Sequence, residues 1–197
     1  MVDTSLGFTT PDGTDAVLPT SQMALTAGDI DSWLTTQPNL GAQALARYTG
    51  TYVTGAVVTF PATQSLRLVL SGSLSVTVKR FVQWRINQNS TSLYRSMTAL
   101  KVMPGETDLV YGGLNSDLSL GRVGTFGSTF FTICLDFNIR GGLPVWTGTV
   151  VGESTADWTV GTTGGILRTA EIPARFDISV DSGQFDNLRV DVTGFPQ

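Results

Sequence analysis

The chain has 197 residues, a formal net charge of −4 and 14% charged residues, against the roughly 25% usual in globular domains, while 41% are hydrophobic. So apolar a chain is not disordered, and two lysines with ten dispersed arginines lack the clustered positive charge that nucleic-acid backbones require. The absence of histidine excludes a Ser-His-Asp triad and histidine general-base catalysis, and the single cysteine excludes an internal disulfide.

Threonine (28), serine (16) and glycine (22) take the place of charge. Thr, Val, Ile and Phe favour strands, and Gly, Ser and Asn favour the turns between them. Composition therefore predicts an all-β protein of one domain with an arm. Residues 1–45 form the expected arm. "TSLGFTTPDGTDAVLPTSQ" is polar and aperiodic, with a turn at Pro11-Asp12-Gly13. It has neither a basic start nor an apolar stretch, so it does not read as a signal peptide. "TAGDIDSWLTTQPNL" predicts one short helix near 27–36. Thr26 is the N-cap, Ile30, Trp33 and Leu34 share a face, and Pro38 stops it. "GAQALARY" suggests a second short turn.

Residues 46–197 read as strands. "SLRLVLSGSLSVTVKRFVQWRI" predicts a hairpin turning at "SGS", with Leu66, Leu68 and Leu70 alternating before it and Leu74, Val76 and Val78 after it. Lys79, Arg80 and Arg85 belong to a solvated face. "TSLYRSMTALKVMP" fits a strand or a short helix. In "GSTFFTICLDFNIRGG", Phe131, Ile133, Leu135, Phe137 and Ile139 fall on one face and Thr132, Cys134, Asp136 and Asn138 on the other. Cys134 is thus an unreactive strand cysteine, since a nucleophilic thiol needs a base and a positive surrounding. In "FDNLRVDVTGFP", Leu188, Val190 and Val192 alternate. About eight to ten strands at this spacing predict an antiparallel β-sandwich of jelly-roll type. No apolar run reaches the roughly 20 residues of a membrane-spanning helix.

No phosphate-cradling motif of the GxxxxGK[ST] or GxGxxG kind occurs. The remaining candidates are these. Glu153, Asp157, Glu171 and Asp177 would serve a glycosidase only if two converged; the expectation is no enzyme. Asp177, Asp181, Asp186 and Asp191 carry oxygen ligands suited to calcium but lack the EF-hand spacing, and no cofactor is expected. Trp146 and Trp158, near Gly- and Thr-rich turns, are candidate platforms for a sugar ring, against a core role for both.

Taken with these features, the chain resembles the structural β-sandwiches of viruses and phages, among them jelly-roll coat proteins and decoration or protruding domains. The features that carry the resemblance are Thr/Ser/Gly/Val richness, few lysines, no disulfide, and an irregular arm before short strands. It implies a non-enzymatic component of a virus or phage particle, made in the host cytoplasm, that acts by symmetric self-assembly. Partners would be further copies of itself and other particle proteins. Phe8, Leu18, Met23, Trp33 and Leu34 would anchor the arm between subunits. Residues 1–45 hold no Lys or Arg, unlike genome-packaging arms, so no direct nucleic-acid contact is expected. The alternative is a carbohydrate- or receptor-binding module with Trp146 and Trp158 facing a host glycan.

Overall fold

The computed structural model describes residues 2–3, 9–10, 42–75, 80–90, 93–103, 107–111, 120–125, 130–153 and 158–195. The chain forms two compact units, divided after Gly41. In the first, β1 (Val2–Asp3) pairs antiparallel with β2 (Thr9–Thr10). The short helix expected near 27–36 and the anchors Phe8, Leu18, Met23, Trp33 and Leu34 lie outside the described residues.

The second unit, Ala42–Phe195, is all β among its described residues. Its strands are β3 (Gln43–Val53), β4 (Gly55–Thr59), β5 (Ser65–Leu74), β6 (Arg80–Ile86), β7 (Tyr94–Met103), β8 (Thr107–Tyr111), β9 (Gly121–Thr125), β10 (Phe130–Arg140), β11 (Leu143–Glu153), β12 (Trp158–Leu167), β13 (Arg175–Val180) and β14 (Phe185–Gly194). Eight of them form one antiparallel sheet in the order β3-β14-β5-β10-β11-β12-β7-β8. The other four form a second, in the order β4-β13-β6-β9. The chain thus changes sheet repeatedly, and the partition is eight strands against four.

Period-2 alternation builds the core between these sheets. Leu66, Leu68 and Leu70 of β5, Phe131, Ile133, Leu135 and Phe137 of β10, and Leu188, Val190 and Val192 of β14 are buried from the large sheet. Ala56, Val58, Val82, Trp84, Ile86, Phe176 and Ile178 are buried from the small one. Trp84 meets Trp146 edge-on at 5.6 Å and Phe137 at 6.4 Å, and Phe137 meets Phe176 at 5.1 Å. Small residues opposite make room for these rings. A Cβ at Gly165 would lie 2.3 Å from the Trp146 ring, and one at Gly121 would lie 2.4 Å from the Trp84 indole nitrogen.

The β10 pattern forms as expected, and "RGG" closes it. Gly141 and Gly142 take φ of +57° and +82°, joining Arg140 to Leu143 in a two-residue hairpin. "TSLYRSMTALKVMP" resolves as strand β7. Tyr94, Ser96, Thr98 and Leu100 are buried, and Met97, Ala99 and Lys101 are exposed.

Two sequence expectations are corrected. The "SGS" hairpin does not form, because β5 continues through it to Leu74 and pairs with β14 and β10, while β6 belongs to the other sheet. Gly72 there admits a close backbone instead of a turn. A Cβ would sit 1.9 Å from the Asn187 carbonyl oxygen, beside the irregularity in β14 between Phe185 and Asn187. The turn suggested at "GAQALARY" is likewise strand from Gln43. Pairing with Thr193 and Gly194 overrides the weak local preference of Gln43, Ala44 and Leu45.

Candidate functional site

The alternation that fills the core also sets the opposite face of the large sheet. In β10–β12 the outward positions are Thr132, Cys134, Asp136, Thr147, Thr149, Val151, Val160 and Thr162. Val151 lies directly across from Val160, and Glu153 directly across from Trp158. Phe130 is the next outward position on β10, opposite Glu153. Four large apolar side chains, Phe130 (41% exposed), Val151 (40%), Trp158 (48%) and Val160 (41%), therefore share one end of three neighbouring strands.

Part of the charge on this face is ion-paired on β3, β14, β5 and β10, while Glu153 stands exposed between Phe130 and Trp158 and Lys101 lies across from Val160. Arg67 of β5 clamps Asp136 of β10 through two bonds, Nε to Oδ1 at 2.7 Å and Nη2 to Oδ2 at 3.0 Å. Asp191 of β14 accepts from Arg189 Nε at 2.6 Å and from Arg47 Nε at 2.5 Å. The bond from Arg189, aided by Arg47, holds the Asp191 carboxyl below the usual carboxylate range, and its partial burial opposes this. Exposed pairs of this kind contribute little to stability.

Cys134 is half-buried between Val69 and Thr149 on the neighbouring strands. Burial pushes its thiol up from the ordinary value, more than Arg67 draws it down. A protonated thiol is a poor nucleophile.

A shallow groove of about 460 Å³ crosses the same sheet where β3, β14, β5 and β10 meet. Its lining includes Thr49, Thr51, Ser71, Asn187, Arg189 and Phe130. Gly50 and Gly72 leave bare backbone along it.

The sequence-derived candidates are dispersed. Trp146 is 1% exposed, its ring enclosed by Trp84, Phe137 and Tyr94, so a sugar ring does not reach it. Trp158 stands on the outer face. Glu153 is exposed beside it, whereas Asp177 is on the small sheet, ion-paired to Arg175 Nη2 at 2.7 Å. Glu171 accepts from Asn89 Nδ2 at 2.6 Å, and Asp157 lies outside the described residues. Asp181 accepts from the Phe81 amide at 3.1 Å. Among the described residues, no three Asp, Glu or Cys side chains gather as a metal-ligand group.

Sequence reasoning missed Val151, Val160 and Phe130. The signal was present in "DWTVG". Trp158 and Val160 are two apart and share a face, while Thr159 and Thr163 point inward. β12 inverts the usual rule of polar residues outside. No family model, no curated protein and no solved structure matches the chain.

Proposed function

We propose that this chain is a non-enzymatic structural component of a virus or phage particle, working by symmetric self-assembly through the outer face of its large sheet. The supporting observation is the set of Val151, Trp158 and Val160, adjoining on β11 and β12 and 40–48% exposed, with Phe130 set apart from Trp158 by Glu153 and turned to the groove. Singly scattered exposed apolar residues are normal, and an adjoining set on one sheet face points to an interaction surface. The particle setting comes from the resemblance in composition and chain organisation. The jelly-roll subtype belongs to the same proposal. In a coat, decoration or surface-projection role this face would meet further copies of the chain and other particle proteins, with the virion as its place. A carbohydrate- or receptor-binding role is the second reading, favoured by the half-exposed Trp158.

Negative-stain electron microscopy of the purified full chain tests the assembly role. Discrete rings, shells or lattices of uniform size are expected. A field of single small particles at every concentration would argue against it.

A further inference from the structure

We infer that the groove across β3, β14, β5 and β10 is a saccharide-binding site with Phe130 as its stacking platform. It goes beyond self-assembly and moves the carbohydrate role away from the two tryptophans.

The chemistry of the lining selects the ligand class. A sugar ring presents hydroxyls around its rim and a patch of C–H bonds on its face. The groove offers the counterparts of both. Thr49, Thr51, Ser71 and Asn187 supply hydroxyl and amide groups that donate and accept, and Arg189 adds a cationic donor. Phe130, 41% exposed, supplies an aromatic ring at the wall.

The floor suits a flat ligand. The Leu188 side chain is buried, and Gly50 and Gly72 carry none, so these positions present main chain. Neither glycine admits a Cβ. At Gly50 it would lie 2.5 Å from the Tyr48 hydroxyl, and at Gly72 it would lie 1.9 Å from the Asn187 carbonyl oxygen. Gly50, Gly72 and Leu188 pair with one another at core-facing positions, so strand alternation presents main chain at the groove floor. The volume of about 460 Å³ falls within the range of roughly 300–1,000 Å³ seen for small-ligand sites.

Next in the chain to the groove residue Thr51 is an aromatic that is not itself part of the lining. Tyr52 follows Thr51, holds a φ of +54° and is 73% exposed. A bulky residue rarely adopts that backbone region unless its surroundings or its role require it. A peptide would seek apolar side-chain pockets, and a nucleic acid would meet a chain of net charge −4. The hydroxyl-rich lining matches neither.

The test uses the full chain on an array of immobilised neutral, fucosylated and sialylated oligosaccharides and bacterial surface polysaccharides. Retention on a subset is expected. Titration of a soluble oligosaccharide from that subset then measures affinity without avidity. Phe130→Ala should weaken it by roughly tenfold or more, as loss of an aromatic anchor does. Phe130→Trp should restore it, and Asn187→Ala should weaken it less. Equal melting temperatures would certify each fold, as expected for exposed positions. No retained saccharide would overturn the proposal, as would retention unchanged in Phe130→Ala. Assembly fails or stands separately, because Val151→Glu/Val160→Glu leaves every named groove residue in place and should bind the soluble sugar as the wild type does.

Discussion

Trp146→Ala is expected to cost roughly 3–5 kcal/mol, read as a lower guanidinium midpoint at unchanged slope. Trp146 is fully buried and touches Trp84, Phe137 and Tyr94 at ring separations of 5.6, 5.7 and 6.4 Å. Removing it leaves a cavity at the junction of the sheets. Its buried Nε1–H finds no acceptor among the described residues, so the loss falls at the lower end of that range. Gly165, directly across from Trp146 in the register, provides the complementary test. A Cβ there would lie 2.3 Å from the ring and 2.2 Å from the Arg95 carbonyl oxygen. Gly165→Ala should cost roughly 1–3 kcal/mol through overpacking. The double variant should be more stable than the sum of the two losses predicts, by roughly 0.5–3 kcal/mol, because truncating the indole frees part of the space. The Arg95 contact remains and keeps the relief partial. Strict additivity would mean that Gly165 is not there to seat Trp146.

Asn87→Ala is expected to destabilise by about 2–3 kcal/mol. Asn87 and Gln88 form the turn after β6 with φ of +50° and +62°, closed by the Asn89 amide donating to the Ile86 carbonyl at 2.8 Å. Asparagine tolerates the left-handed region better than alanine. Its side chain also ties down the approach to β13. Nδ2 donates to the Ile172 carbonyl at 2.9 Å, and Oδ1 accepts from the Ala174 and Arg175 amides at 2.9 and 3.1 Å. Three bonds, two part-buried and the one to Ile172 exposed, at roughly 0.5–1.5 kcal/mol each, less what water restores, give the stated cost. Asn87→Gly separates the two causes, since glycine keeps the backbone and loses only the bonds. It should fall between wild type and Asn87→Ala in thermal melts. Equal stability of all three would remove the turn from the account.

The large-sheet strands were legible where apolar and polar residues alternate cleanly. Phe131 to Ile139 against Thr132 to Asn138 is such a run, and Leu188 to Val192 is another. Pairing was not legible. Leu66 to Leu74 looked like half of a local hairpin, yet its neighbours β14 and β10 lie far along the chain. The small Gly72 signals a close neighbour and a turn equally well. Burial failed in the sequence wherever both faces were mild. Thr159 and Thr163 point inward, and Val160 between them points out. Hydrophobicity alone assigns those positions the other way. The tryptophans show the same limit. Trp146 and Trp158 sit in similar Gly- and Thr-rich surroundings, and only the strand register separates a core ring from a surface one. The groove was invisible for a related reason. Its lining comes from four strands, and no two of them are consecutive in the chain.

Self-assembly through the outer face is tested most directly by mass. Static light scattering should be run on the full chain across a dilution series, beside Val151→Glu/Val160→Glu. The expected result is a defined multiple of the 21.0 kDa chain for the wild type, and 21.0 kDa for the variant with an unchanged far-UV spectrum. Two like charges on directly opposed positions are incompatible with a dry interface, and on an open sheet surface their repulsion destabilises the strand pair by roughly 1 kcal/mol or less, which leaves the fold intact. A wild type of 21.0 kDa at every concentration would contradict the account, and so would a variant that keeps the wild-type mass.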